Sequence, residues 1–201
     1  MNIAKPPVID RPDLTLPPAE AAWLREHYAR AGVILEYGSG GSTVLAAELP
    51  GKTVFSVESD RVWARKMQDF LDANPPKGAV HIHVAGIGKT RRWGMPEDDS
   101  AWRRYKNYPV SVWDRKDFRQ PDLVLIDGRF RSACLITTMI KTKAPVTVLF
   151  DDYMARKPYH IVERWAERKE TRGRMARFEV GPWQIPPDDL ADVLALYNRA
   201  Q

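Results

Sequence analysis

The sequence predicts a single α/β domain built on an open, doubly wound and mostly parallel sheet. Short apolar runs without polar alternation, which are typical of strands buried on both faces, alternate along the chain with helical patterns. A glycine-rich turn follows the first of these runs, where sheets of this class bind ligands at the carboxyl ends of their strands. The length of 201 residues suits one hydrophobic core.

The predicted elements follow one another in strand–helix order. An arm and a helix occupy residues 1–31, and two prolines precede the helical pattern. Residues 161–168 are predicted as a late helix and residues 177–180 as a sixth strand. Residues 193–197 fit either a helix or a closing antiparallel strand. The other predicted strands are 33–35, 53–57, 80–84, 123–126 and 146–150, and the helices between them are 42–49, 60–73 and 132–140.

The composition is that of an ordinary globular protein, with 44% hydrophobic and 28% charged residues. No apolar run approaches the roughly 20 residues needed to cross a bilayer, and the N-terminal segment lacks the apolar stretch of a signal peptide. The lone Cys134 has no partner for an internal disulfide, and no Cys/His cluster indicates zinc. We therefore expect a cytoplasmic protein without a membrane partner.

The positive charge is concentrated in residues 86–120, between the third and fourth predicted strands. The chain has a net charge of +5, which favours acidic partners, and this segment holds nine Lys/Arg against five acids, together with six aromatic residues. Such a length far exceeds an ordinary connection of about 4–6 residues. We predict an insertion that folds over the site as a lid for a small substrate. A packed loop with solvated charges is the second interpretation, and RNA or nucleotide binding is the third.

The glycine-rich turn spans residues 38–43, with the sequence Gly-Ser-Gly-Gly-Ser-Thr. Its glycines let the backbone approach a ligand closely, and the amides of Ser42 and Thr43 at the following helix start are free to hold an anion. Glu58 ends the second strand 22 residues after Glu36, where a carboxylate can accept the hydroxyls of a ribose. A dinucleotide fingerprint requires a third glycine at position 43, so Thr43 and Glu36 disfavour a nicotinamide-dependent oxidoreductase.

These motifs resemble those of the class I S-adenosylmethionine (SAM)-dependent methyltransferases. The resemblance starts with Glu36-x-Gly38-x-Gly40 and continues with Val57-Glu58, residues 125–128 and residues 149–153, so that it spans roughly Val33 to Tyr153. It implies a seven-stranded Rossmann-like sheet with helices on both faces, and SAM as the cofactor. It also implies that Glu58 binds the ribose, that the glycines approach the methionine part and that Gly86 lies near the adenine. The predicted cofactor-binding set is Glu36, Gly38, Ser39, Gly40, Ser42, Thr43, Glu58, Gly86 and Asp127.

Three aspartates follow the fourth and fifth predicted strands. Asp127 ends the fourth strand and Asp151-Asp152 end the fifth, on the same edge of the sheet as the glycine turn. Three carboxylates suit Mg²⁺, and the pattern resembles that of the metal-dependent O-methyltransferases of the catechol and macrolide-sugar type. Without a metal, Asp127 or Asp151 is the expected general base. Helix capping, or an ion pair with Arg129 or Arg131, is the structural alternative.

The resemblance therefore predicts a SAM-dependent methyltransferase that acts on an oxygen or nitrogen of a small substrate. Asp127 and Asp151 are the predicted catalytic residues, and Asp127, Asp151 and Asp152 are the predicted metal ligands. The competing hypothesis is a non-catalytic binding or regulatory module that keeps the fold, because fold alone does not imply function.

Overall fold

The computed structural model describes residues 10–200, so residues 1–9 of the predicted N-terminal arm lie outside the described residues. Its central sheet has seven strands in the order β3-β2-β1-β6-β7-β9-β8. They are β1 (Val33–Tyr37), β2 (Thr53–Glu58), β3 (Ala79–Val84), β6 (Leu123–Ile126), β7 (Val146–Phe150), β8 (Arg168–Arg172) and β9 (Met175–Val180). The first five in this order are parallel, and β9 pairs antiparallel with both β7 and β8. The predicted fold class is confirmed.

Helices cover both faces of this sheet. They are α1 (Pro18–Arg30), α2 (Gly41–Ala47), α3 (Arg61–Ala73), α4 (Asn107–Val110), α5 (Arg131–Lys141) and α6 (Leu190–Leu196). The side chain of Asp60 accepts hydrogen bonds from the amides of Val62 and Trp63 and so starts α3. The predicted strands and helices up to residue 150 are confirmed to within two residues, and residues 193–197 belong mainly to α6. No helix among residues 10–200 has the length and apolar character needed to cross a membrane.

The predicted helix at residues 161–168 is confirmed only over its first four residues. A 3-10 helix occupies Lys157–Arg164, and the chain is already extended as β8 from Arg168 onward. The strand has the sequence RKETR and lies at the edge of the sheet, where it does not need apolar residues because its side chains remain in contact with water. An edge strand of this kind carries no hydrophobic period from which it can be predicted.

Side chains of β1 point alternately to the two faces of the sheet, and each face packs against a different set of helices. Val33, Leu35 and Tyr37 pack into the core on the side of α5 and α6, whereas Ile34 packs against α1 on the other side. Because successive side chains of a strand point to opposite faces, Glu36 shares the α1 side with Ile34. Glu36 is fully buried there.

The insertion is a folded structure. It contains the hairpin β4 (Thr90–Arg91) and β5 (Met95–Pro96), the 3-10 helices Asp99–Arg104 and Ser111–Asp114, and α4 between them. Tyr105 and Tyr108 are buried, while Trp93 is 69% and Trp102 47% exposed. The aromatic residues of the insertion therefore divide between core packing and a surface beside the carboxyl edge of the sheet.

Candidate active site

A cavity of about 570 Å³ lies at the carboxyl ends of β1, β2 and β6. Its walls come from five separate parts of the chain, and Trp63 of α3 completes them. These parts are the glycine loop (residues 38–42), the end of β2 (residues 58–60), the end of β6 (residues 127–129), the insertion (residues 92–94 and 108) and the N-terminal arm (residues 12–16). The cavity lies at the edge of the sheet that the sequence predicted.

The glycine loop and the end of β6 are in direct backbone contact. Gly38 has a φ of +109°, which side-chain-bearing residues rarely adopt, and a Cβ on it would lie 3.0 Å from Gly128. A Cβ on Gly128 would lie 2.0 Å from the hydroxyl of Tyr108, which packs over it from the insertion. These two glycines let three segments meet at the floor of the cavity.

Glu36 braces the glycine loop from beneath and does not line the cavity. Tyr28 of α1 donates its hydroxyl hydrogen bond to Glu36 Oε1 at 2.5 Å, and Thr43 of α2 donates to Oε2 at 2.6 Å. The amide of Gly40 in turn donates to Thr43 Oγ1 at 3.0 Å. Burial raises the pKa of Glu36, and the hydrogen bonds from Thr43 and Tyr28 oppose that shift. Glu36 and Thr43, both predicted as cofactor ligands, thus hold the loop in place.

Glu58 borders the cavity and is held by backbone amides. Its Oε1 accepts from the amides of Ser59 at 2.6 Å and Asp60 at 2.8 Å, while its Oε2 accepts a long bond of 3.4 Å from Ser39. Burial raises the pKa of Glu58, against the effect of these amides. Oε2 therefore keeps acceptor capacity toward the cavity, as a ligand hydroxyl requires.

The insertion is anchored beside this carboxylate. The hydroxyl of Ser59 donates to the carbonyl of Gly94 at 2.8 Å, and a Cβ on Gly94 would lie 3.0 Å from Glu58 Oε1. Arg92 and Trp93 of the same hairpin line the cavity, with the guanidinium of Arg92 5.2 Å from the centre of the Trp93 ring. The insertion closes the β2 side of the cavity.

Asp127 lines the cavity with a strongly perturbed carboxyl group. Loss of hydration raises its pKa to about 7, and the nearby carboxylates of Asp151 and Asp152 act in the same direction. Arg131, whose Nη2 lies 3.2 Å from Asp127 Oδ1, lowers the pKa and limits the shift. The result is a carboxyl group that exchanges a proton near neutral pH at the cavity wall.

Asp151 and Asp152 lie outside the cavity lining, bound to arginines. Asp151 is fully buried, and its two oxygens accept from Arg174 Nε at 3.0 Å and Nη2 at 2.8 Å. Asp152 pairs with Arg156 at 2.9 Å and lies 3.4 Å from Arg131. The structure therefore does not bring Asp151 to the cavity as a catalytic residue.

The same arrangement does not fit the predicted magnesium site. Asp127, Asp151 and Asp152 already face three guanidinium groups, so a dication would add to a cluster of positive charge rather than balance a cluster of carboxylates. Within residues 10–200, no group of three or more His, Cys, Asp or Glu side chains is placed to hold a metal. The expectation of Mg²⁺ at this donor set is not supported.

Of the predicted cofactor-binding set, the structure brings together at the cavity Gly38, Ser39, Gly40, Ser42, Glu58 and Asp127. Gly86 lies outside the lining, and its carbonyl accepts a hydrogen bond from Asn107 at 3.0 Å. Sequence reasoning missed the arm, which passes so close to Gly41 that a Cβ there would lie 2.3 Å from the backbone of Asp13. The sequence of the arm has no helical or strand periodicity. The one signal for its position was Gly41, the third glycine of the turn, where the arm leaves no room for a side chain. Tyr108 and Trp63 were missed as lining residues for the same lack of a local motif.

Comparison with solved structures gives close and distant relatives. A methyltransferase-like protein from Silicibacter pomeroyi is 52% identical, with a TM-score of 0.91, and the match covers 94% of this chain and 98% of that one. The O-methyltransferase TomG from Streptomyces achromogenes, involved in tomaymycin synthesis and solved in complex with SAM, is 15% identical with a TM-score of 0.55 and coverage of 86% and 83%. The O-methyltransferase from Bacillus cereus, solved with S-adenosylhomocysteine (SAH), is 14% identical with a TM-score of 0.53 and coverage of 87% and 84%. No protein-family model matches the sequence, and no curated protein matches it.

Proposed function

The chain belongs to the class I SAM-dependent methyltransferase family, and we propose that it transfers the methyl group of SAM to an oxygen or nitrogen of a small molecule. The observation that carries this proposal is one cavity with two differently held carboxylates. Glu58 keeps acceptor capacity at the β2 side, and Asp127 has a pKa of about 7 at the β6 side. The Glu58 carboxylate can accept hydrogen bonds from ribose hydroxyls, and the Asp127 carboxylate can take a proton from the methyl acceptor.

The residues present fit the cofactor. Glu58 would accept the ribose hydroxyls, and the backbone of residues 38–42 would lie against the methionine part. Trp93, mostly exposed at the mouth, supplies an aromatic surface on the side of Glu58. When bound, SAM would supply an electrophilic methyl group: a bond from the acceptor lone pair to the methyl carbon would form as the carbon–sulfur bond breaks and SAH leaves.

Asp127 has the properties of a general base for this reaction. A base works best when its pKa lies near the working pH, since it is then both deprotonated and able to take a proton. The pKa of Asp127 is raised toward this range by partial burial and by the nearby carboxylates of Asp151 and Asp152. The neighbouring Arg131 is fixed by carbonyl acceptors and so holds the carboxylate in one orientation. Asp127 would take the proton of the acceptor as the methyl group is transferred.

The size of the cavity supports a small acceptor. Its volume of about 570 Å³ falls within the roughly 300–1,000 Å³ of small-molecule pockets, and it must also take the cofactor. The arm and the insertion form walls on two sides of the cavity. Small acceptors are therefore favoured over nucleic acid.

The test is transfer of a labelled methyl group from SAM to a panel of phenols, carboxylic acids and amines. We expect product and SAH with at least one acceptor, and transfer slower by about 10²–10⁴-fold in Asp127→Asn. Asp72→Asn, on an exposed turn of α3, is the matched control and retains the wild-type rate. SAM binding without transfer to any acceptor would support the non-catalytic module instead. A wild-type rate in Asp127→Asn would remove Asp127 from the mechanism.

A further inference from the structure

Arg129 is a cavity-lining arginine whose charge has no partner among residues 10–200. Its Nε is buried without a hydrogen-bond acceptor, and Nη1 reaches the sulfur of Met95 at 3.6 Å. A thioether is a weak acceptor and carries no charge to balance a guanidinium. Burial lowers the pKa of Arg129, and the charge of Arg131 lowers it further.

In Arg131, two residues later, every guanidinium nitrogen donates to an oxygen acceptor. Its Nε donates to the carbonyl of Gly128 at 2.9 Å, and Nη1 donates to that of Asp151 at 2.6 Å. Nη2 lies 3.2 Å from Asp127 and 3.4 Å from Asp152. Since buried polar groups are almost always paired, the contrast singles out Arg129 as the arginine of the cavity lining whose Nε is buried and whose terminal guanidinium nitrogens have no oxygen acceptor among the described residues.

We propose that Arg129 binds an anionic group, a carboxylate or phosphate, of the methyl acceptor; this inference rests on the proposed function. A guanidinium presents several donors in a plane that matches both anions. Arg129 and Asp127 leave the same turn at the end of β6, so an acceptor anchored at Arg129 presents its nucleophile to Asp127. The acceptor class is a small acidic molecule that carries a hydroxyl or amine.

Arg129 leaves the sheet at the end of β6, beside Asp127. Glu58 follows β2 and the glycine loop follows β1, whereas Arg129 follows β6, on the side of β1 opposite to β2. Adjacent strands lie about 4.8 Å apart, so the ends of β2 and β6 are separated by roughly 10 Å. The backbone of Arg129 therefore starts on the far side of the glycine loop from Glu58, and its guanidinium extends to Met95, the neighbour of the Gly94 that adjoins Glu58. The carboxylate of the cofactor is the other source of this chemistry, and the experiment separates the two.

The first arm of the experiment measures cofactor binding by calorimetry. SAH and 5′-methylthioadenosine, which lacks the amino-acid part, are titrated into the wild type and Arg129→Gln. We expect each ligand to bind both proteins equally. Weaker binding of SAH to Arg129→Gln, with unchanged binding of methylthioadenosine, would assign Arg129 to the carboxylate of the cofactor and overturn the proposal.

The second arm titrates inorganic phosphate and benzoate into the SAH-saturated proteins. We expect saturable binding to the wild type, about 10-fold or more weaker binding to Arg129→Gln, and partial recovery in Arg129→Lys. Arg103→Gln, an exposed arginine of the insertion stacked on Trp102, is the matched control and binds as the wild type does. No anion binding to the wild type, or equal binding to Arg129→Gln, would overturn the proposal. SAH binding to the wild type is measured before any anion is added. Failure of the wild type to bind SAH would contradict the proposed function rather than the role of Arg129.

Discussion

The two halves of the carboxyl edge of the sheet hold their carboxylates in different ways. At the β1–β2 half, Glu36 and Glu58 accept hydrogen bonds from neutral hydroxyls and amides. At the β6–β7 half, Asp151 and Asp152 are bound by guanidinium groups. Neutral donors orient a carboxylate without cancelling its charge, whereas an arginine pair cancels it. At the first half Glu58 faces a ligand while the buried Glu36 holds the glycine loop, and at the second half the ion pairs stabilise the fold.

Asp127 belongs to neither half completely, which explains its role. It shares Arg131 with the arginine-bound aspartates, yet its side chain lines the cavity and its pKa is raised by loss of water. Partial pairing leaves a carboxyl group that is oriented and still able to exchange a proton.

Asp151→Asn should cost the most stability. The substitution replaces a fully buried carboxylate by a neutral amide and leaves Arg174, which is 37% exposed, with Asp152 as its one charged partner, at a cost of about 1.5–3 kcal/mol of unfolding free energy. Urea unfolding measures the loss, and Asp72→Asn should stay within about 0.5 kcal/mol of the wild type. A loss no larger than that of the control would contradict a structural role for the β7 aspartate.

Gly41→Ala should force the arm away from the glycine loop. The new Cβ would lie 2.3 Å from backbone atoms of Asp13 and Leu14, so the arm must shift, at a cost of about 1–3 kcal/mol. Gly40→Ala is the matched control, since a Cβ there has no neighbour within 4 Å among the described residues. Urea unfolding compares the two variants, and equal stability would show that the contact with the arm carries no energy.

The rate of methyl transfer should depend on the protonation of Asp127. A base must be deprotonated, so the single-turnover rate should be constant above the pKa of about 7 and fall about tenfold per pH unit below it. The measurement uses the best acceptor of the screen at saturating SAM. The acidic limb should vanish in Asp127→Asn, and a limb that persists in that variant would assign the titration to another group.

Thr43→Val should have the smallest effect, a loss of stability where Glu36 and Thr43 hold the glycine loop. The substitution keeps the shape of the side chain but removes the donor to Glu36 Oε2 and the acceptor for the Gly40 amide. We expect a loss of unfolding free energy of about 1 kcal/mol, the lower end of the range for an unpaired buried group. Thr171→Val on the exposed strand β8 is the control. Thermal unfolding that does not separate the two variants would mean that the hydroxyl of Thr43 does not hold the loop.

The sequence predicts the parallel part of the fold well because buried strands have an unmistakable composition. It does not predict β8, whose five residues Arg168–Arg172 are mostly charged and need no apolar face at the sheet edge. The glycine loop and the acids at the strand ends are predictable from local motifs. The distinction between Glu36 and Glu58 is not, since it depends on Tyr28 of a helix that packs against β1 from another part of the chain.

The aspartates at β7 show the same limit in another form. Their spacing indicates three converging carboxylates, and the structure does place them near one another. The arginines that pair with Asp151 and Asp152, Arg174 above all, come from segments far along the chain or carry no motif. Because long-range pairing decides whether carboxylates bind a metal or an arginine, the sequence pattern left the metal site and a direct base as alternatives.

Calorimetric titration with SAH tests whether the cavity binds an adenosyl ligand through Glu58. We predict tight binding to the wild type and to Glu97→Gln, an exposed carboxylate of the insertion. Glu58→Gln should bind about 10–100-fold more weakly, because a hydrogen bond to a charged acceptor contributes about 1.5–3 kcal/mol. Absence of SAH binding to the wild type would show that the cavity is not an adenosyl site, and equal affinity in Glu58→Gln would show that Glu58 does not bind the ribose.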